Sequence, residues 1–156
     1  MAAYLPYLIA LGIGFIAGLR AMTAPAAIAW AAHLGWLPLA GTALAFMGSI
    51  WAVGIFSLLA LFELVGDQLP STPSRKVPVQ FGTRLLMGAL CGAAIGAAAG
   101  VLLAGLACGV VGAVLGTYIG AAIRAALAKA FGRDLPAALL EDLVALGGAF
   151  LLVHGL

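Results

Sequence analysis

Residues 62–84 read FELVGDQLPSTPSRKVPVQFGTR, and their pattern lays out the whole chain. One apolar run ends in Phe62-Glu63-Leu64-Val65, and another begins after Thr83-Arg84. Between them stand Pro70, Pro73 and Pro78, so the stretch is not helix throughout. The chain has seven basic and five acidic residues, and Glu63, Asp67, Arg75, Lys76 and Arg84 all sit here. A charged, proline-broken turn between two long apolar runs is what joins two membrane helices on one side of a bilayer.

The flanks agree. The chain is 65% hydrophobic and 8% charged, with a mean hydropathy of +1.24. A soluble domain is about 25% charged, so that class is excluded. At about 20 residues per span, 156 residues hold five or six helices and leave no room for a soluble domain. We therefore expect one all-α, polytopic transmembrane bundle over residues 1–156. Six apolar segments are read, at roughly 4–19, 23–37, 42–66, 83–104, 105–128 and 136–155. Thr23 as a cap with Pro25 in the first turn starts the second, and Pro38 closes it. Asp134 followed by Pro136 starts the last. Residues 1–4 carry no Lys or Arg, so the positive region of a signal peptide is missing and the first segment is expected to stay as a span.

The charges orient this bundle. Arg20 stands alone; the second patch surrounds 67–84, and the third is Arg124, Lys129, Arg133, Asp134, Glu141 and Asp142. Basic residues in short loops mark the cytoplasm. Loops 67–82 and 125–135 are then cytoplasmic, with an uncharged turn at about 104–106 and the C-terminus outside. If 23–37 also crosses, Arg20 is inside too and all seven basic residues share one side. Fifteen residues is short for a span, so the rival is five spans plus a re-entrant segment. Six spans divide into two sets of three of opposite orientation, the pattern of 3+3 inverted-repeat transporters. The sequences of the two halves are not alike.

Gly88, Gly92, Gly96 and Gly100 recur every four residues, and Gly105, Gly109, Gly112, Gly116 and Gly120 continue the pattern. Small residues at this spacing let helix backbones approach closely. The partner helix lies either within the chain or in a second copy, as a glycine-zipper homodimer.

Glu63 and Asp67 are four residues apart, on one face of a helix. Glu141 and Asp142 lie inside the last segment. Short acidic side chains within apolar runs do not reach the headgroups, so they face the bundle interior and pair with Arg20 or Arg84. Arg75, Lys76, Lys129 and Arg133 read as interfacial side chains that snorkel, and Asp134 reads as a helix cap. His33 and His154 lie near the outer ends, too few for a zinc site. Cys91 and Cys108 are apolar packing residues outside any CxxC motif. No hydrolase or phosphate-loop motif is present, so no catalytic residue, metal or cofactor is expected, and the chain is read as no enzyme. The basic residues lie beside spans, which argues for membrane lipids as partners and against nucleic acid.

Gly18-Leu19-Arg20-Ala21-Met22, followed by Phe62-Glu63-Leu64-Val65-Gly66-Asp67-Gln68-Leu69-Pro70, resembles a bacterial membrane family catalogued as domain of unknown function 4126. Gly132-Arg133-Asp134-Leu135-Pro136 and Leu140-Glu141-Asp142 extend the likeness over nearly the whole chain. The resemblance implies that Arg20, Glu63, Asp67, Glu141 and Asp142 are the family's polar core. Where longer relatives have another acid after the proline, this chain has Ser71-Thr72-Pro73-Ser74-Arg75. The family's name supplies no activity.

Two functions follow. The first is an inner-membrane transporter or channel in which Glu63, Asp67, Glu141 and Asp142 bind a cation or proton. Arg20 and Arg84 then position them or contact an anionic solute. The second is a non-transporting scaffold, lipid-binding or partner-subunit protein whose charges are structural. Carboxylates fully paired with arginines, with no cavity reaching them, favour the second.

Overall fold

The computed structural model describes residues 3–69 and 74–156. Within them run six α-helices: α1 (Leu5–Leu19), α2 (Thr23–His33), α3 (Ile50–Gly66), α4 (Pro78–Ala98), α5 (Leu102–Phe131) and α6 (Asp134–His154). A 3₁₀ turn, Ala45–Gly48, precedes α3. The expectation of an all-helical chain holds among the described residues. Residues 70–73 of the proline-rich turn lie outside them.

Several boundaries differ from the sequence reading, each for a local reason. α3 begins at Ile50, not 42, because Ser49 caps it: its Oγ accepts from the Ala52 amide at 3.1 Å. Trp51 therefore stands in the first turn of α3. α4 begins at Pro78, not 83; Pro at the first helical position costs no hydrogen bond, and the preceding Val77 is extended. The reversal between α4 and α5 falls at 99–101, not 104–106. Gly100 makes it, with φ +77, a conformation costly for any residue with a Cβ. Gly100 thus turns the chain and does not pack against another helix. α5 runs to Phe131 and is capped by Gly132 in the left-handed region.

α1, α4 and α5 form the centre, packed mutually and most extensively. Glycines set the distance. An added Cβ on Gly92 would lie 2.8 Å from Gly109 Cα, and one on Gly109 would lie 2.9 Å from Gly92 Cα. Gly88 and Gly96 meet the same side of α5, at Ala113 and Gly105. A different stripe of α5, Gly112 and Gly116, meets the backbone of Leu11 and Phe15 on α1. Gly14 on α1 meets the Gly109 backbone, and Gly18 meets that of Ala113, Gly116 and Thr117. Gly120 lies further on, beside Leu19, Arg75 and Glu141. So the glycine faces are taken up inside the chain. Cys91 is buried in the same core, and both cysteines are free thiols.

α6 lies on α5 and touches α1 and α2; α3 packs on α2 and the 3₁₀ turn. The outside is apolar. Trp51 is 79% exposed, and Leu58, Phe62, Leu103, Leu143 and Leu151 also face outward. α4, α5 and α6 are long and apolar enough to cross a membrane, while α1 and α3 are shorter apolar helices. An apolar exterior over long apolar helices fits a membrane protein. The two sets of three are unequal: the middle helix has 11 residues in the first and 30 in the second.

Candidate functional site

The carboxyl ends of α1, α3 and α5 and the amino ends of α2, α4 and α6 meet at one end of the bundle. This brings together all the acids the sequence singled out, with Arg20 and Arg84. Arg20 follows α1 in extended conformation, which turns its side chain into the bundle, where it is fully buried. Its Nε donates to Asp142 Oδ1 at 2.6 Å, and its Nη1 pairs with Asp67 Oδ2. Glu141 Oε2 stands 3.7 Å from its Nη2. One guanidinium thus joins the ends of α1, α3 and α6.

Glu63 and Asp67 were expected to share a helix face. They part instead, because α3 stops between them. Asp67 caps the helix and turns to Arg20. Glu63 reaches the α1–α2 corner, where Oε1 accepts from the Ala21 amide and Oε2 from the Met22 amide, both at 2.7 Å. These amides precede α2, so the carboxylate sits at the positive end of the helix dipole. Arg84 Nη2 is 4.0 Å from Glu63 Oε1. Arg84 itself is 2% exposed and donates from Nη1 to the carbonyls of Gly18 (2.9 Å) and Leu19 (2.7 Å). It caps the carboxyl end of α1, a favourable place for a cation.

Glu141 has Arg20 within ion-pair distance, as expected, but its shortest hydrogen bonds come from another arginine. Arg75 donates to both its oxygens, at 2.5 and 2.8 Å. Arg75 is therefore buried in the layer and does not snorkel. A planar guanidinium facing a carboxylate makes two parallel bonds, and burial follows from that match. Arg124 Nη1 adds a third contact to Glu141 at 3.4 Å. Asp134 does not act as a cap either: it opens α6 with no capping bond and pairs with Arg124 through both oxygens, at 3.0 and 2.6 Å. Arg124 also donates to the Asp67 carbonyl at 3.1 Å, and Gln68 Nε2 donates to Asp142 Oδ2 at 3.1 Å.

Sequence reasoning missed Arg75, Gln68 and the two backbone amides. The signal for Arg75 was indirect: an acid inside an apolar run needs a cation, and the nearest free one by patch was in the proline-rich turn. Lys76 lies 5.5 Å from the Tyr118 ring centre, and Lys129 and Arg133 are exposed. His33 and His154 are at the other end, His33 beside the Gly48 carbonyl (3.0 Å) and His154 against Trp36 and Phe150. Among the described residues no group of three His, Cys, Asp or Glu side chains is arranged to hold a metal ion.

Two grooves approach the layer. One of about 450 Å³ runs between α2, α3 and α6, from Thr23 and Leu64 to Trp36 and Val153. Its only side-chain hydrogen bond among the described residues joins Trp30 Nε1 to Ser57 Oγ at 3.0 Å. The other, about 150 Å³, lies between α1, α5 and α6 and reaches Glu141 and Arg124.

Residues 7–155 match the family described as a domain of unknown function, DUF4126. The chain belongs to that family. The match takes in every residue of the ionic layer, from Arg20 to Asp142. No curated protein and no solved structure matches the chain.

Proposed function

We propose that this member of the family is a non-enzymatic integral membrane protein whose ionic layer closes one end, and that it holds a lipid chain in the groove between α2, α3 and α6. The observation that carries the reading is the pairing of the acids. Glu63 has two backbone amides, Asp67 and Asp142 have Arg20, Glu141 has Arg75, and Asp134 has Arg124. No carboxylate is left over to bind a cation or carry a proton. The groove is apolar, opens sideways through the lipid-facing surface, and is of the size of ligand sites.

In this reading all six helices cross the bacterial inner membrane. The ionic layer lies at the cytoplasmic face with loops 67–82 and 125–135, and the C-terminus is outside. α2, at ~16 Å long, crosses by continuing through residues 34–40. α1 is short but sits inside the bundle, so its length is matched to its neighbours and not to lipid. A homodimer would need a face other than the glycine stripes, and the unequal halves give an inverted repeat no support.

Transport remains the second reading, because the smaller groove reaches Glu141 and Arg124. There the paired layer is a closed gate. Two measurements separate the readings. Native mass spectrometry of detergent-released protein is expected to show a retained lipid that Ala27→Phe, which fills the larger groove, removes. Vesicles containing the protein are expected to pass no protons or ions. A flux abolished by Glu141→Gln, with lipid retention unchanged by Ala27→Phe, overturns the lipid-binding reading.

A further inference from the structure

The larger groove is apolar along its walls, and one end reaches a polar residue next to the ionic layer. There it meets Thr23, the first residue of α2, and Leu64, which follows Glu63. The amides of Ala21 and Met22 already hold an anion at this point, and that anion is the protein's own Glu63. The donors gathered here exceed what Glu63 uses. Among the described residues Thr23 Oγ1 and Arg84 Nε have no hydrogen-bond partner, although Thr23 is 3% exposed and Arg84 2%. Buried polar groups are ordinarily satisfied, so these two atoms, one on the residue that follows Met22 and one on the arginine that faces Glu63 across 4.0 Å, need a cause. Arg84 Nη2, at 4.0 Å from Glu63, is beyond hydrogen-bonding distance. Glu63 also arrives on the helix held least firmly: α3 buries Ala52, Val53 and Ala60 and packs on α2 and the 3₁₀ turn.

We propose that the amino end of α2 is a binding site for the head of a single-chain carboxylate amphiphile, a long-chain fatty acid in chemical class, and that Glu63 is its built-in competitor. The inference rests on the lipid-binding reading of the groove. The tail lies along the walls between Ala27 and Phe150. The head takes the place of the Glu63 carboxylate on the Ala21 and Met22 amides, and it engages the donors that Glu63 leaves unused, Thr23 Oγ1 and the Arg84 guanidinium. A helix amino end with a buried arginine favours an anion over a neutral head. Displacement swings the Glu63 side chain and the last turn of α3 away from α2, while Asp67 at the end of that turn stays tied to Arg20.

The groove carries its own reporters. Trp30 and Trp36 line it, and Trp51 is on the outer face of α3. In nanodiscs of unbrominated phospholipid, the Trp51→Phe protein is titrated with a brominated long-chain fatty acid and with its methyl ester. The acid is expected to quench with an affinity about tenfold above that of the ester, a difference of ~1.4 kcal/mol. Glu63→Gln in the same background is expected to strengthen the acid several-fold and leave the ester unchanged. Thr23→Val weakens the acid alone. Acetate, a head without a tail, is expected not to compete at millimolar concentration.

Equal affinity for acid and ester, with both lost in Ala27→Phe, overturns the head site and leaves the lipid groove standing. Absence of quenching by either overturns both. Competition by acetate as strong as by the long chain makes this a site for small carboxylates and overturns the amphiphile. The acid–ester comparison needs no change within the ionic layer, so it decides the matter even if Glu63→Gln does not fold.

Discussion

Replacing Arg20 with methionine removes the one side chain that joins α1, α3 and α6. Two acids lose their cation. Asp67 is left with no side-chain partner among the described residues, and Asp142 keeps only Gln68, at 3.1 Å. Glu141 keeps Arg75 and Arg124. Arg20 is fully buried and Asp142 nearly so, so solvent does little to offset the loss. Breaking a buried pair by removing one partner costs about 3–5 kcal/mol. For a chain of this length each kcal/mol lowers Tm by roughly 2–4 °C, so Arg20→Met should lower it by about 6–20 °C. The assay is thermal unfolding in a mild detergent, with Lys129→Met, an exposed charge, as the control. Adding Asp67→Asn and Asp142→Asn to Arg20→Met removes the stranded charges and should restore more than half of the loss. Arg20→Lys should fall between, because an ammonium cannot meet two carboxylates in one plane. If Arg20→Met melts with the Lys129→Met control, the layer is not a buried ionic network.

The glycine contacts predict opposite signs for one substitution at two places. Gly109→Ala meets the Gly88 and Gly92 backbone and should destabilise by about 1–3 kcal/mol. Gly54→Ala, with nothing within 4 Å on α3, should be neutral or stabilising by up to about 1 kcal/mol in the same melt. Gly132→Ala forces a left-handed residue with a Cβ and should cost roughly 1–2 kcal/mol. Asp134→Ala breaks a pair whose acid is largely exposed; its melting temperature should stay close to wild type, and closer still at high salt.

The ionic layer was largely legible because an apolar chain has few places for charge. Arg20, Glu63, Asp67, Glu141 and Asp142 stood out as soon as the segments were drawn, and the glycine spacing announced close helix packing, which the fold places between α4 and α5 and between α5 and α1. What the sequence hid was geometry at helix ends. Glu63 and Asp67 look like one face, but α3 ends between them and sends them to different partners. Arg75 and Lys76 are neighbours of like charge in one turn, yet one is buried and the other is not; only the position of Glu141 distinguishes them. The α4–α5 reversal was placed late because Gly100 continues the four-residue repeat, so a turn glycine resembled a packing glycine. Residues 42–49 look as apolar as a helix, and only the Ser49 cap separates them from α3.

In the proposed reading all six helices cross, with the ionic layer on the cytoplasmic side and residues 34–40 on the other. Single cysteines at exposed positions Ala40, Lys76 and Lys129, placed in a Cys91→Ala, Cys108→Ala background, test it with a membrane-impermeant maleimide. In intact bacterial cells Ala40→Cys should label, whereas Lys76→Cys and Lys129→Cys should label only after the membrane is opened. Labelling of position 40 from the same side as 76 and 129 would contradict a six-span topology, because α2 would then fail to cross and the groove it lines would not open into the membrane.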